Sequence, residues 1–372
     1  MAVAMTRLAG AVMRLGRDRV APHQGFPRSV DALDAPYLSQ VLGTPVDKIE
    51  VLTTTDGTTD RARLGLHGDA VPASVFVKMA PAAAVTRLFV DLSDLGADEI
   101  GFYRDVRPTL DLEAPVALGS TVDATSKRFV LVLEDLTARG ATFGEVLAPV
   151  EVTSAEAVLD TLASLHGSHW RSPQLDRHQG TGSLGWVRAN CADPTLPLVT
   201  AAVRSMGSRL ARRDPALAPT RARQILRRYP AVARELDAGP HTLLHGDAHP
   251  GNCYFVDGRA GLLDWQVVRR GHPLRDVTYF LTLALHPDAR RAHERRLLDR
   301  YREALAAAGG PTLSAGEAWT AHRKMAAYPY VATTFTAGLG GLQEEEVGLE
   351  GLRRAVAAVT DLETAAALGS LA

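Results

Sequence analysis

The stretch LLHGDAHPGNCYFVDGRAGLLDWQ, residues Leu243–Gln266, decides the fold prediction. An apolar run ends at His245. Gly246, Pro250 and Gly251 follow, and their backbone preferences disfavour a helix. The sequence therefore predicts a fixed, irregular loop after His245.

A short hairpin is predicted directly after this loop. Cys253–Val256 has the composition of a strand, Asp257-Gly258 is a turn pair, and Gly261–Leu263 can return as the second strand. This hairpin would deliver Asp264 at a strand end, beside the loop. Two carboxylates and one amide, those of Asp247, Asp264 and Asn252, are therefore expected to converge on one pocket.

The chemistry of these three groups suits Mg²⁺ and phosphate. In phosphoryl transfer Mg²⁺ takes oxygen ligands, usually one or two carboxylates together with substrate phosphates. Two other interpretations exist: a zinc site built from His245, Asp247, His249 and His272, or a polar turn without chemistry. A zinc site would leave Asn252 and the Asp264 strand without a role, so we favour the magnesium interpretation.

The pattern resembles the aminoglycoside phosphotransferase and choline kinase superfamily, distant relatives of protein kinases, whose loop reads H-G-D-x-x-x-x-N and whose metal strand reads D-W/F. Here His245-Gly246-Asp247, Asn252 and Asp264-Trp265 fit that spacing. The resemblance implies that Asp247 is the base that orients or deprotonates the acceptor hydroxyl, and that Asn252 and Asp264 hold the metal.

The resemblance also implies a fold, an α+β bilobal kinase-like architecture. We expect an N-terminal lobe with an antiparallel sheet at residues 1–134, including a helical extension at 1–45. A larger, mainly helical lobe that binds the acceptor would follow at 135–372.

Composition and charge narrow the class of protein. The 372 residues are 46% hydrophobic, enough for two lobes with cores, and 41 basic residues balance 42 acidic ones. This balance gives no general affinity for nucleic acid. Cys191 and Cys253 are too few and too far apart for a disulfide framework, and no signal peptide or membrane span is visible. We expect a soluble, cytoplasmic protein that binds neither nucleic acid nor membrane; its oligomeric state stays open.

The first hairpin of the N-terminal lobe is predicted at Ile49–Thr54 and Ala62–Leu66. In the superfamily this hairpin covers the nucleotide phosphates, which makes Gly57, Thr58 and Thr59 candidate phosphate-binding residues. An ordinary surface hairpin would have the same sequence.

A lysine strand follows at Ala73–Met79, where apolar residues alternate and Lys78 is the single lysine. By the resemblance, Lys78 pairs with the α- and β-phosphates and is held by Glu99, which lies in a segment like the superfamily's E-x-x-F-Y. An exposed lysine and an unrelated surface glutamate are the alternative.

Two further strands are predicted at Pro115–Gly119 and Arg128–Leu133. The short connector after them, Glu134, Asp135 and Leu136, resembles the interlobe hinge, whose backbone would bind an adenine edge.

The C-terminal half has the periodicity of helices. One begins at Thr153 with a capping-box pattern completed by Glu156, and others are predicted at 196–213, 219–237, 287–308, 315–338 and 343–368. Pro273 starts a helix whose Asp276 is expected to brace the catalytic loop by hydrogen bonds.

Together these features predict a kinase that uses ATP or GTP with Mg²⁺ and phosphorylates a small-molecule hydroxyl. The Leu-Glu-Asp-Leu hinge and Asp-Trp-Gln look similar to the ecdysteroid-kinase-like and acyl-CoA-dehydrogenase-associated branches, which implies a fairly apolar acceptor. The alternatives are an aminoglycoside or other antibiotic O-phosphotransferase and a catalytically silent nucleotide-binding module.

Overall fold

The computed structural model describes residues 1–20, 26–55, 57–148, 150–175, 183–340 and 344–371. The chain forms two compact units. Met1–Pro108 and Ala114–Ala141 form the first, and Thr109–Glu113 and Thr142–Ala372 form the second. The first contains a five-stranded antiparallel sheet and the second is mainly helical, so the predicted α+β bilobal fold class is confirmed.

The sheet of the first unit has the order β1-β2-β3-β5-β4, with every neighbouring pair antiparallel. Its strands are β1 Lys48–Thr55, β2 Asp60–His67, β3 Ser74–Met79, β4 Ala117–Val122 and β5 Phe129–Glu134. Four helices accompany it: α1 Ala2–Val20, α2 Ala35–Leu42, α3 Ala84–Leu92 and α4 Leu95–Gly101, the last continued by a π-helical turn at Phe102–Val106.

Strand β3 shows why the sheet forms here. Its alternate residues Val75, Val77 and Met79 are buried in one apolar cluster with Leu38 of α2. Because successive side chains of a strand point to opposite faces, Lys78 lies on the other face, as its position in the sequence predicts.

Strand β4 differs from its prediction. It runs over Ala117–Val122 instead of Pro115–Gly119. Proline has no backbone N–H to donate to a ladder, so the strand begins after Pro115.

The second unit has two small sheets, β7-β10 and β6-β8-β9. The strands are β6 Thr142–Phe143, β7 Thr242–Leu244, β8 Cys253–Val256, β9 Arg259–Leu262 and β10 Arg269–Gly271. The helices are α5 Val152–Ser168, α6 Leu196–Arg213, α7 Ala222–Arg227, α8 Tyr229–Leu236, α9 Leu274–Ala284, α10 Pro287–Ala307, α11 Ala315–Met325, α12 Ala327–Leu339, α13 Glu345–Asp361 and α14 Thr364–Ala367.

Helix α9 is the centre of the second unit. All of its residues are buried, and it packs against α5, α10, α11, α12 and α13. A side chain from its first turn can therefore support the loop after His245 from inside the core.

Three predicted long helices are each divided in two. The one at 343–368 is divided into α13 and α14 at Glu363, whose φ of +48° is left-handed. The segment at 219–237 is broken into α7 and α8 before Pro230, and the segment at 315–338 into α11 and α12 before Pro329. Proline lacks the N–H that an internal helical bond needs and clashes with the carbonyl four residues earlier. In the segment at 315–338 that residue is Met325, where α11 ends.

The predicted capping box at Thr153 is wrong. Helix α5 begins one residue earlier, with Glu151 as its N-cap and no side-chain capping bond. Glu156 instead pairs with Arg296 and Arg300 of α10. Among the described helices, none has the length and apolar character to cross a lipid bilayer.

Candidate active site

The catalytic-loop candidate begins where buried strand β7 ends. Gly246 has a φ of +85°, and a Cβ built on it would lie 2.0 Å from the carbonyl oxygen of Val267. Glycine accepts this backbone conformation at low cost, whereas any side chain would collide. The residue before Asp247 must therefore be glycine for the loop to take this path.

Asp276, in the first turn of α9, holds the loop from below. Its carboxylate accepts the backbone N–H of His245 at 2.7 Å and that of Gly246 at 3.0 Å. Burial works to raise the pKa of Asp276, but the hydrogen bond and charge of His166 and the charge of Arg275 outweigh it and hold the pKa below its ordinary value. The ionised carboxylate is thus matched to two amide donors, which confirms the predicted bracing.

His245 is a neutral, structural histidine. Its Nε2 donates to the carbonyl of Leu263 at 3.0 Å, while its Nδ1 accepts from the backbone N–H of Asp247 at 3.2 Å. Burial lowers its pKa, which favours this uncharged form. Because both ring nitrogens are engaged, His245 has no lone pair to give a zinc ion. In the described part of the chain, no group of three or more His, Cys, Asp or Glu side chains could hold a metal.

Asp247 is fixed at both carboxylate oxygens. Oδ1 accepts from the hydroxyl of Tyr279 at 2.7 Å, and Oδ2 accepts from Nδ2 of Asn252 at 3.3 Å. His249 Nε2 lies 3.8 Å from Oδ2. The side chain keeps 25% of its surface exposed, so a ligand can reach it. Burial raises the pKa of Asp247, and the nearby charge of Asp264 adds to the increase.

Asp264 is carried by the hairpin that the sequence predicts. Strands β8 and β9 pair in register from Cys253 with Leu262 to Val256 with Arg259, through a turn in which Asp257 and Gly258 both have positive φ. After β9 the backbone N–H of Leu263 donates to the carbonyl of Asn252 at 3.0 Å. This bond ties the strand end to the loop.

The backbone of Asp264 itself is unusual. Its φ of +65° lies in the left-handed region, where few residues other than glycine occur and where strain is often associated with function. The next residue, Trp265, is fully buried, and its ring lies 4.5 Å from that of His245. Packing of the tryptophan therefore sets the position from which Asp264 leaves the strand.

The first unit contains the second group of predicted site residues. Lys78 Nζ on β3 and Glu99 Oε1 on α4 are 2.6 Å apart, and both side chains are buried. The structure therefore excludes the alternative, in which the lysine is exposed and the glutamate is an unrelated surface residue.

The three hairpin candidates lie in the β1–β2 connection, with different exposures. Gly57 and Thr58 are half-buried, whereas Thr59 is 1% exposed. A Cβ on Gly57 would lie 2.5 Å from the Arg61 guanidinium. The buried Thr59 hydroxyl has no hydrogen-bond partner among the described residues.

The hinge candidates use much of their hydrogen-bonding capacity within the first unit. The Glu134 N–H donates to the carbonyl of Val116, and the Glu134 side chain accepts from the Val116 N–H, both at 2.9 Å. The Asp135 carboxylate accepts from Arg63 and Ser74. The carbonyls of Asp135 and Leu136 accept N–H groups of the turn that follows. The side chains of Glu134 and Asp135 thus fasten the end of β5.

Sequence reasoning missed Tyr279 and Tyr328 as site residues. Tyr279 is three residues after Asp276 on α9, a spacing that places both on one helix face, so a local signal existed. Tyr328 of α12 donates to the carbonyl of Gly246 at 2.7 Å, packs 5.3 Å from the Tyr279 ring and lies 4.0 Å under the guanidinium of Arg275. No local pattern marks Tyr328.

Fold and site together place the chain in the class of bilobal, protein-kinase-like folds. A profile of the ecdysteroid kinase-like family matches residues 48–309, most of the chain. The chain belongs to the ecdysteroid kinase-like family, and the predicted superfamily resemblance is confirmed. No curated protein sequence matches the chain.

Solved structures support the same fold. The chain is similar to the GDP complex of aminoglycoside 2′-phosphotransferase-IIIa, with a TM-score of 0.52 and 16% identity over 86% of this chain and 96% of the other. It is also similar to an ethanolamine kinase of Plasmodium vivax, with a TM-score of 0.50 and 11% identity over 83% of this chain and 81% of the other. At such identities the likeness shows the fold.

Proposed function

We propose that the protein is a small-molecule kinase that transfers the γ-phosphate of ATP or GTP to a hydroxyl group of a small, fairly apolar metabolite. The observation that carries the proposal is the position of Asp247. Its carboxylate is fixed by Tyr279 and Asn252, is partly exposed, and is near the charge of Asp264. A surface turn without chemistry would not need this much support.

Asp247 is the group that acts on the acceptor. Its carboxylate receives the proton of the acceptor hydroxyl as that oxygen bonds to the γ-phosphorus, and the bond to the nucleoside diphosphate breaks. Tyr279 restricts rotation of the carboxylate by holding Oδ1. Oδ2, whose contacts are longer, is the oxygen that faces the acceptor.

Asn252 and Asp264 would hold Mg²⁺. The donor set fits, since it offers an amide oxygen and a carboxylate, both hard oxygen ligands. Asn252 uses its Nδ2 to bond Asp247, at the backbone carbonyl as well as at Oδ2, which directs its amide oxygen away from that residue. The ion would supply charge neutralisation on the nucleotide phosphates, and it would relieve the mutual repulsion of Asp247 and Asp264.

Lys78 would position the α- and β-phosphates, with Glu99 fixing its ammonium group. Gly57, Thr58 and Thr59 would cover the phosphates, and the backbone of Glu134, Asp135 and Leu136 would receive the adenine or guanine edge. The bound GDP of the similar aminoglycoside phosphotransferase supports a nucleotide co-substrate. The presence of every expected group argues against a silent nucleotide-binding module.

The test is a phosphate-transfer assay of the purified protein against a panel of hydroxylated metabolites and aminoglycosides, with ATP or GTP and with or without Mg²⁺. We expect wild-type protein to transfer phosphate to an apolar alcohol only when Mg²⁺ is present. The Asp264→Ala variant should remain folded but transfer no phosphate. If the protein binds nucleotide but neither transfers phosphate to any acceptor nor hydrolyses the nucleotide, the result would support the silent nucleotide-binding module. Transfer to aminoglycosides alone would support the antibiotic kinase.

A further inference from the structure

His249 lies beside the carboxylate of Asp247 and presents one ring nitrogen to solvent. Its Nε2 is 3.8 Å from Oδ2 of Asp247, and 23% of its side chain is exposed. Its Nδ1 is buried and has no hydrogen-bond partner among the described residues. Nε2 makes no hydrogen bond to them either, but it is open to solvent. A ligand that reaches Asp247 can therefore also reach Nε2 of His249.

The backbone of the loop holds His249 on both sides. Its N–H donates to the carbonyl of Asp247 at 2.8 Å, and its carbonyl accepts from the N–H of Asn252 at 2.9 Å. The thiol of Cys253 donates to the same carbonyl at 3.4 Å. Because both backbone polar groups of His249 are engaged, the loop sets the direction in which the side chain leaves the backbone.

The glycine at position 251 gives the imidazole ring its place. A Cβ built on Gly251 would lie 3.0 Å from Cε1 and 3.2 Å from Nδ1 of His249. Both distances are shorter than ordinary van der Waals contact, so a larger residue at position 251 would displace the ring. The ring thus lies against the backbone of Gly251, and Nε2 is in position before a ligand binds.

The gap between Nε2 of His249 and Oδ2 of Asp247 has the width that one oxygen atom can bridge. At 3.8 Å it is too long for a direct hydrogen bond. An oxygen atom beside both groups can make hydrogen bonds of about 2.7–3.0 Å to each of them. Oδ1 of Asp247 holds the short bond from Tyr279, at 2.7 Å, whereas the bond from Asn252 to Oδ2 is 3.3 Å long. Oδ2 is therefore the oxygen with room for a further donor.

We propose that the reacting hydroxyl oxygen of the acceptor occupies this gap, which makes His249 a second catalytic residue beside Asp247. The inference rests on the proposed function. The acceptor hydroxyl donates its proton to Oδ2 of Asp247 and accepts a hydrogen bond from Nε2–H of His249. The neutral tautomer with hydrogen on Nε2 and the imidazolium can both donate this bond.

His249 contributes orientation to the transfer step. A hydroxyl oxygen has two lone pairs, and the one that accepts from His249 is not available for attack. The other lone pair forms the bond to the γ-phosphorus, the hydroxyl proton passes to Asp247, and the bond to the nucleoside diphosphate breaks. Nε2 keeps its proton throughout the step.

Hydrolysis of Mg-ATP and Mg-GTP, in which water takes the place of the acceptor hydroxyl, tests the proposal with a known acceptor. His249→Gln keeps an amide N–H near the position of Nε2, His249→Asn places it near Nδ1, and His249→Leu has none. We expect His249→Gln to stay within about threefold of the wild-type rate and the other two variants to lose about tenfold, the value of one hydrogen bond. Affinity for Mg-nucleotide, measured by calorimetry, should stay unchanged in all three. A packing role would give the opposite order, because leucine suits a partly buried site better than glutamine does.

Gly251→Ala is a second test, because it retains His249 and displaces its ring. It should lower the rate of hydrolysis in the wild-type chain and have no further effect in a chain that carries His249→Leu, since the two residues act as a unit. His293→Leu, at a half-buried histidine of α10, is the control and should keep the wild-type rate.

Equal rates of His249→Gln and His249→Asn overturn the proposal, as does a wild-type rate in His249→Leu. An effect of Gly251→Ala that is the same in both backgrounds also overturns it. In these cases the wild type still turns over nucleotide, so the proposed function stands. A wild type that binds Mg-nucleotide but neither hydrolyses it nor transfers its phosphate overturns the proposed function, and the role of His249 with it.

Discussion

At the scale of single residues, the candidate site depends on a few side chains that hold Asp247. Tyr279 and Asn252 fix its carboxylate, and burial with the charge of Asp264 raises its pKa. The proposed catalytic group, Asp247, is held by other contacts than the residues proposed to bind nucleotide, so substitutions can test the two roles separately.

Asp247→Asn keeps the size of the side chain and removes its charge. A general base or hydroxyl-orienting group contributes on the order of 10²–10⁴ in rate, so transfer should fall by about that factor. Binding of Mg-nucleotide, measured by calorimetry, should change little. If nucleotide binding were lost in parallel with transfer, Asp247 would belong to the metal shell.

Tyr279→Phe removes the hydroxyl that holds Oδ1 of Asp247. A hydrogen bond to a charged group is worth about 1.5–3 kcal/mol, so kcat should fall about ten- to a hundredfold with unchanged nucleotide affinity. Tyr301→Phe is the comparison, because it removes a buried hydroxyl 2.7 Å from His166. Tyr301→Phe should lower the thermal stability about as much as Tyr279→Phe does, but it should lower kcat less. Equal losses of kcat in both variants would assign Tyr279 a structural role only.

At the scale of elements, local chemistry decided which predictions were right. The loop after β7, the β8–β9 hairpin and the alternation around Lys78 depend on nearest neighbours, and the sequence shows those. Two of the divided helices break next to a proline, and the apolar periodicity used for the predictions runs on across both breaks. Tyr328 reaches Gly246 across 82 residues of chain, a contact that only tertiary packing creates.

The buried pair between Lys78 and Glu99 connects β3 to α4. Lys78→Ala should lower transfer, and Glu99→Ala should lower it less, because Glu99 acts through the lysine. A double variant no worse than Lys78→Ala alone would show the coupling expected for residues that act together. Losses that simply add would contradict the pair.

Gly246→Ala tests whether the catalytic loop needs its backbone conformation. The new Cβ would collide with Val267, so we expect a loss of stability well above 1 kcal/mol and a loss of transfer. Gly258→Ala is the control: its φ of +73° is similar, but nothing lies within 4 Å of the added Cβ. Chemical denaturation of both variants isolates the collision, and equal losses would argue against it.

At the scale of the whole molecule, one 24-residue stretch was enough to predict the fold class. The contacts that attach distant segments to each other could not be predicted from the sequence. Glu235 of α8 is an example. It accepts from Lys324 at 2.9 Å and from the backbone N–H groups of Gly369 and Ser370. Nothing around Glu235 in the sequence indicates that it holds the C-terminal segment.

This attachment predicts a dependence of stability on pH. Burial works to raise the pKa of Glu235, but its hydrogen bonds to Lys324, Gly369 and Ser370 lower it from 4.5 to about 2. The stabilisation is complete above the ordinary pKa and is lost as the pH falls towards the lowered one. Glu235→Gln should therefore be less stable than wild type at neutral pH, by an amount that shrinks between about pH 4.5 and about pH 2.

Urea denaturation of both proteins across this range measures the difference. Glu303→Gln, at an exposed glutamate, is the control and should follow wild type at every pH. A difference between Glu235→Gln and wild type that stays constant would contradict the prediction.

The backbone N–H groups of His245 and Gly246 donate two hydrogen bonds to Asp276, which lies on a helix whose residues are all buried. If the loop separated from α9 alone, the ionised carboxylate of Asp276 would keep its contact with His166 but lose both backbone donors, a cost of about 1–3 kcal/mol. The loop and α9 therefore open together or not at all, as one cooperative unit. The proposed catalytic loop is thereby protected from local unfolding, and we expect it to stay intact at high temperature for as long as the core does.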